Sequence, residues 1–303
     1  PFSQEIIMSL HKFIPASFII VWLSLAQIVF AQDDVKIEPT KITDQIYMLT
    51  GQGGNLGLFI GQDGTFLIDD QFAPLTEKIM SAIKSVGGDS PKFLINTHYH
   101  GDHTGGNENF GKQGTLIFSH DNVRDRLANG FFIREFSMKG EPMSPAGLPV
   151  VTFSEDISFH LNGDKVHAIH IPHSHTDGDS IIHFSSANVI HAGDVIFSGF
   201  FPFIDVSHGG SIKGMITGVK KILALSDENT QIIPGHGPLT NAAELGNYLE
   251  MLETAYERLR KLKAEGKTAQ EAIEAKPLAD LEEEWGDGIF TGDKWIEIIY
   301  SGV

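Results

Sequence analysis

The feature that most constrains this chain is a short segment in which four side chains able to bind metal lie within six residues. It runs from Thr97 to Gly106 and contains His98, His100, Asp102 and His103. An apolar run at 93–96 precedes it and two glycines close it, which predicts a loop between a strand and a helix. His98 and His100 are two residues apart, so an extended backbone points both imidazoles the same way. We therefore predict a metal site.

The residue types available limit which metals this site can bind. The 303 residues include 14 His and no Cys. Thiolate ligands, disulfides and thiol nucleophiles are therefore excluded, and a metal must bind to imidazole and carboxylate. Such ligands suit zinc, and iron or manganese remain possible.

One loop cannot complete two metal sites, and three later segments supply candidate ligands. Each follows a short apolar run that we interpret as a strand: His173 and His175 follow 166–171, Asp194 follows 189–191, and His236 follows 231–234. Side chains just beyond the carboxyl ends of strands commonly form the active sites of α/β proteins. The order of sheet and then helix occurs twice along the chain. This predicts two α/β halves packed sheet on sheet, with the helices outside.

Together these motifs resemble the metallo-β-lactamase fold superfamily, whose pattern His-x-His-x-Asp-His stands here at residues 98–103. The similarity covers about Val35 to Leu239. The fold it implies is an αββα sandwich of two packed mixed sheets with outer helices. It also implies a two-metal ligand set: His98, His100 and His175 for the first metal, Asp102, His103 and His236 for the second, and Asp194 bridging both.

Three further assignments follow from the resemblance. His175 is preferred over His173 as the ligand because it precedes Thr-x-Gly-Asp, although the alternative stays open. Asp69 resembles a carboxylate that supports the first ligand loop. Asp102 is expected to be catalytic, orienting the attacking hydroxide as well as binding metal.

The function implied is an extracytoplasmic hydrolase with two zinc ions per chain. It would cleave an amide, lactam, ester or related carbonyl bond by metal-bound hydroxide. Many β-lactam-hydrolysing members carry a Cys ligand that this chain lacks, so a lactonase or thioesterase resembling glyoxalase II is the alternative. An oxidoreductase resembling mononuclear iron persulfide dioxygenases is the alternative from another class.

The amino end reads as a signal peptide, residues 1–31, with Met8 as the plausible start. Lys12 precedes an apolar stretch that ends in Val29-Phe30-Ala31, a small-residue cleavage pattern. A retained membrane anchor is the rival interpretation. We therefore expect a periplasmic or secreted protein. Residues 32–240 would form the catalytic domain, and 241–303 a helical extension packed on it.

Charge and composition restrict the partners. The net charge of −17, with only 22 Lys and Arg, argues against a nucleic-acid partner. A small-molecule substrate is expected, with no stable membrane partner unless the leader is retained, and the oligomeric state is left open. Three segments are candidates for substrate contact: the glycine-rich loop 51–55, interpreted as mobile, the turn-rich insertion 130–149, and the aromatic segment 198–203. Together they suggest an apolar wall for an uncharged part of the substrate.

Overall fold

The computed structural model describes residues 34–303, so the predicted leader lies outside the described residues. Its first sheet has seven strands in the order β1-β2-β3-β4-β5-β6-β9. Their bounds are β1 Glu38–Lys41, β2 Ile46–Thr50, β3 Leu56–Gly61, β4 Gly64–Ile68, β5 Phe93–Ile95, β6 Leu116–His120 and β9 Val151–Phe153. β1 to β4 pair antiparallel, whereas β4, β5, β6 and β9 run parallel, so this sheet is mixed.

The second sheet has six strands in sequence order and is mixed as well, because β13 and β14 pair parallel. The strands are β10 Asp156–Leu161, β11 Asp164–Ile171, β12 Asp179–Phe184, β13 Val189–His191, β14 Gln231–Ile233 and β15 Thr240–Asn241. A separate hairpin pairs β7 Phe131–Ile133 with β8 Met138–Gly140. It lies in the insertion that the sequence showed only as rich in turns.

Nine α-helices connect and cover the sheets in the described part. They are α1 Thr76–Ser85, α2 Gly101–Thr104, α3 Asn107–Lys112, α4 Asp121–Asn129, α5 Ile212–Leu225, α6 Ala242–Ala264, α7 Ala269–Glu274, α8 Glu282–Trp285 and α9 Gly292–Ile299. Within residues 34–303, none is both long and apolar enough to cross a bilayer.

The two sheets pack face to face through one apolar layer. Phe59, Phe66 and Phe118 of the first sheet belong to the same buried cluster as Val166 and Phe184 of the second. Fully buried side chains of this size each contribute roughly 1.5–3 kcal/mol to folding. A second buried cluster joins the outer face of the second sheet to α5, α6 and α9. The sandwich of mixed sheets with outer helices is therefore confirmed.

Side-chain caps mark where two of the carboxyl-terminal helices begin. Asn241 caps α6, since its side chain accepts hydrogen bonds from the backbone N–H groups of Ala243 and Glu244. Thr268 and Glu271 form a capping box at the start of α7. One face of α6 is apolar and buried, including Leu245, Leu252 and Leu259, so this face packs against the rest of the protein.

Candidate metal centre

The loop after β5 brings its ligands together because the backbone changes conformation within it. His100 is the extended residue that precedes α2, and the helix then carries Asp102 and His103 back over the strand end. Asp69, with a positive φ of 59°, accepts hydrogen bonds from the backbone N–H and the hydroxyl of Thr97, both at 2.7 Å. The loop is thereby tied to the end of β4.

Two groups of side chains result, each with ligand atoms within 4.8 Å of one another. The first group contains His98, His100, His175 and Asp194, all buried; the second contains Asp102, His103 and His236. All seven residues predicted from the sequence are in these two groups.

His175 belongs to the first group and His173 does not. The Nε2 of His175 lies 2.8 Å from Nδ1 of His100, and its side chain is buried. His173 has a positive φ of 55° and is exposed, and its ring Nδ1 lies 3.0 Å from the carbonyl of Gly209. The turn at His173 therefore directs His175 into the site.

Asp194 lies between the two groups. Its Oδ2 is 3.4 Å from Nε2 of His175 and 3.4 Å from Nε2 of His236, while its Oδ1 is 3.1 Å from Nε2 of His103. This position matches the bridging role that the resemblance implied.

The hydrogen bonds at the outer edge of the imidazoles determine which nitrogen faces inward. His175 Nδ1 lies 2.8 Å from the carbonyl of Phe203, so it must donate there. His103 Nδ1 donates to Asp69 at 2.8 Å in the same way. His98 Nδ1 lies 3.1 Å from the hydroxyl of Thr97, whose own hydrogen is already donated to Asp69. His98 and His175 therefore turn their Nε2 lone pairs inward, and His103 directs its Nε2 atom to the same site.

This arrangement fits a bound cation. His100 Nδ1 lies 3.1 Å from Nε2 of His98 and 2.8 Å from that of His175, so three ring nitrogens lie close together. One positive ion between them would accept the lone pairs of His98 and His175. In addition, Asp194 Oδ1 is buried and has no hydrogen-bond partner among residues 34–303. Nitrogen and carboxylate donors of this kind suit zinc.

The protonation of the first group suits metal binding, which requires neutral imidazole. Burial lowers the pKa of His175 to about 4 and lowers the pKa of His98 well below its usual value. Both rings are therefore neutral near pH 7.

The second group has the opposite tendency. Burial opposes the charge on His236, yet Asp194 and Asp102 raise the pKa of its ring to about 9. Burial likewise opposes the charge on Asp102, but His103 and His236 lower the pKa of that carboxyl to about 2. Asp102 is therefore ionised throughout the physiological range.

The family model described as the metallo-beta-lactamase superfamily matches residues 49–265. The chain belongs to the metallo-β-lactamase superfamily. This match includes all seven residues of the two groups, so the metallo-β-lactamase resemblance seen in the motifs is confirmed.

Three proteins show how this superfamily member compares with its relatives. It is 28% identical over 188 residues to the probable metallo-hydrolase YqgX of Bacillus subtilis (strain 168), covering 58% of this chain and 85% of that protein. It is 27% identical over 147 residues to hydroxyacylglutathione hydrolase of Pelagibacter ubique (strain HTCC1062), covering 48% and 51%. The metallo-beta-lactamase from Pontibacter korlensis has the same fold, with a TM-score of 0.58, 18% identity and coverage of 72% and 99%. The superfamily and the names of these relatives support a hydrolase.

A buried carboxylate beside the first group was not found from the sequence. Asp205 Oδ2 lies 3.1 Å from Nε2 of His100 and 2.7 Å from Nδ1 of His208. It also accepts a hydrogen bond from the hydroxyl of Tyr99. Its one sequence signal is an acid at the end of the apolar run 200–204. This carboxylate orients His100 so that Nδ1 faces the group.

The glycine-rich loop 51–55 is held against the site rather than standing free of it. The backbone N–H of Gly54 donates to the carbonyl of Asp102 at 3.2 Å, and that of Asn55 donates to the carbonyl of Gly235 at 2.7 Å. A Cβ on Gly54 would lie 2.3 Å from Nε2 of His103. Glycine is required there because the backbone passes directly over the imidazole.

Proposed function

We propose that this protein is an extracytoplasmic hydrolase with two zinc ions per chain, acting on an amide, lactam, ester or related carbonyl bond of a small molecule. The observation that carries the proposal is the position of Asp194 between two groups of inward-facing ligand atoms. Zinc bound at both groups would lower the pKa of water and polarise a substrate carbonyl.

The residues of the chain have distinct parts in this reaction. His98, His100 and His175 would bind the first ion, Asp102, His103 and His236 the second, and Asp194 both. Asp102 also faces the cavity above the groups, and its side chain is 26% exposed. Because Asp102 is ionised, it can accept a hydrogen bond from the attacking water and orient it. A bond forms between the water oxygen and the carbonyl carbon, and the bond from that carbon to the heteroatom breaks. One proton of the water passes to the departing heteroatom, and the other remains with the carboxyl product.

Apolar side chains limit water at the site. The ring of Phe197 stacks on the ring of His236, with centroids 5.1 Å apart, and Phe203 packs against His100 and His175. Their low polarity strengthens the electrostatic interactions within the site.

A thioesterase or lactonase is the second candidate within the same fold. It is favoured by the similarity to hydroxyacylglutathione hydrolase and by the lack of any Cys. An iron oxidoreductase is less well supported, because a single metal would leave Asp102, His103 and His236 without a role.

Four further points belong to the proposal and rest on the sequence alone. Residues 1–31 would be a cleaved leader, which places the protein in the periplasm or outside the cell. Residues 32–240 would form the catalytic domain, and 241–303 an extension of it. The net charge of −17 supports a small-molecule partner over nucleic acid. Iron or manganese would be the alternative metals.

The test is a hydrolysis panel with the metal-loaded protein. The panel contains an aryl ester, a thioester, a lactone, a β-lactam and a phosphodiester, each with and without a chelator. We expect one carbonyl class to be hydrolysed and the chelator to abolish its turnover. Turnover of the phosphodiester alone, or of none while both metals are bound, would overturn the proposal.

A further inference from the structure

The cavity above the two groups has one polar wall and one apolar wall, and it encloses about 110 Å³. The polar wall consists of His100, Asp102, Asp194 and His236; the apolar wall consists of Ile133, Phe136, Met138, Phe197, Phe203 and Ile289. A substrate that places its carbonyl at the polar wall must therefore place a neighbouring part against the apolar wall.

Two segments far apart in sequence form the mouth of this cavity. Phe136 and Met138 come from the β7–β8 hairpin, and Ile289 comes from the segment between α8 and α9. They are 45%, 42% and 51% exposed, respectively. Seven large apolar side chains are exposed in the described residues, and three of them lie at this one cavity. Exposed apolar side chains gathered at a cleft indicate a binding surface. We call Phe136, Met138 and Ile289 the apolar rim.

The rim is supported from beneath by aromatic packing. The ring of Phe136 lies 4.8 Å from that of Phe203 and 6.0 Å from that of Phe290. The hairpin is thereby joined to both the site and the carboxyl-terminal extension. Ile289 and Phe290 lie beyond residue 265, where the family match ends. The carboxyl-terminal extension thus contributes directly to this wall, in addition to the packing role that the sequence indicated.

Charge around the cavity disfavours an anionic substrate group. Among the described residues that line it, none is Lys or Arg. The two cations of the hairpin are already paired, Arg134 with Glu135 and Lys139 with Glu141, each at 2.8 Å. A carboxylate placed at the rim would lose hydration without gaining an ion pair with a side chain that lines the cavity.

We propose that the apolar rim holds an uncharged, apolar group adjacent to the scissile bond, so that the substrate is a neutral carbonyl compound with an alkyl or aryl chain. This inference rests on the proposed hydrolase function and adds to it the class of substrate. Holding a few methylenes at the rim distinguishes substrates by about tenfold or more.

The test compares matched esters in the metal-loaded enzyme. One series varies the acyl group of a 4-nitrophenyl ester, as acetate, hexanoate or hexanedioate monoester, where the last carries a carboxylate in place of the terminal methyl. A second series varies the alcohol of an acetate ester, as ethyl or hexyl. We expect kcat/KM to rise about tenfold with the longer chain in one series. We also expect it to fall well below the hexanoate value for the hexanedioate monoester.

The variant Ile289→Glu links the preference to the rim. It should remove the advantage of the longer chain, measured as the ratio of the two kcat/KM values. The matched control is Val150→Glu, because Val150 is also exposed, at 63%, and is not part of the cavity wall. The control should keep the wild-type ratio. No chain-length advantage in either series, or an unchanged ratio in Ile289→Glu, would overturn the inference.

A binding measurement separates this inference from the proposed function. Titration calorimetry with the neutral ketone 4-phenyl-2-butanone does not depend on turnover. The ketone should bind to the wild type and to Val150→Glu, and its Kd should be at least tenfold higher in Ile289→Glu. This result would support the role of the apolar rim even if no ester is hydrolysed. Equal binding to both variants overturns the rim, whereas hydrolysis of short esters would still support the hydrolase.

Discussion

The carboxylate oxygen Oδ2 of Asp205 lies 3.1 Å from Nε2 of His100, and Asp205 is completely buried. A carboxylate behind a metal-binding imidazole fixes the orientation of the ring and increases its basicity. Asp205 is held in turn by Tyr99, Ser207 and His208. Burial opposes the charge, yet hydrogen bonds from His100 and His208 lower the pKa of Asp205 well below its usual value, so it stays ionised.

Replacing this carboxylate should weaken the binding of a metal ion by the first group. In Asp205→Asn the Kd for that metal is expected to rise about 10- to 100-fold. The second metal should be retained, because its ligands do not contact Asp205. The measurement is competition with a chelating dye. The matched control is Asp156→Asn, since Asp156 also pairs with a histidine, His167, at 3.1 Å, but at an exposed position. Equal metal affinity in both variants would contradict the role of Asp205.

Asp102 is expected to be needed for turnover as well as for the second metal. Asp102→Ala should reduce kcat by about a hundredfold or more and lower occupancy of the second group. Kinetics and elemental analysis on the same sample test both effects. Asp44→Ala is the control, because Asp44 is an exposed surface residue. Unchanged turnover with full metal content in Asp102→Ala would refute this role.

A methyl group on Gly54 should disturb His103. The added Cβ would lie 2.1 Å from Cε1 of that imidazole. At this distance either the imidazole or the loop backbone must move. We expect Gly54→Ala to bind one metal instead of two. The control Gly246→Ala lies on the exposed face of α6, with nothing within 4 Å of the added Cβ. It should increase the free energy of unfolding by about 0.5–1 kcal/mol. Two tightly bound metals in Gly54→Ala would count against this packing.

The fold should become less stable in mild acid because folding disfavours protonation of the His170 ring. Its ring stacks on that of His120 at 3.8 Å, and burial lowers its pKa to about 4. Because the folded pKa is below the unfolded value of about 6.5, the unfolded chain binds more protons. Stability therefore falls as the pH drops below about 6.5 and stops changing below about 4.

The measurement is urea unfolding at pH 7 and pH 5, with the metal content held equal. The wild type should lose about 1 kcal/mol more than His170→Gln over this interval, after allowance for partial exposure of the ring. Identical losses in the two proteins would show that His170 does not titrate in this way.

The candidate ligands can be selected from the sequence because each carries a local signal. His98, His100, Asp102 and His103 share one loop, and His236 lies between two glycines at the end of a strand. Such patterns depend on a few neighbouring residues, so they can be recognised without knowledge of the tertiary structure. The helix caps at Asn241 and Thr268 are local signals of the same kind.

What the sequence missed depends on contacts between distant segments. Asp205 reaches His100 across 105 positions, and Ile289 reaches the cavity from beyond the matched family segment. The loop 51–55 looked mobile because it is rich in glycine. Its hydrogen bond to Asp102 shows that glycine there permits close packing. The residues next to Asp205, Ile289 and the loop 51–55 in the sequence do not reveal these contacts.

The most direct test of the account is the metal content of the purified protein, determined by elemental analysis. We expect about two zinc ions per chain, with metal-dependent hydrolysis of a carbonyl substrate in the same sample. One iron per chain without hydrolysis, or no tightly bound metal, would contradict it.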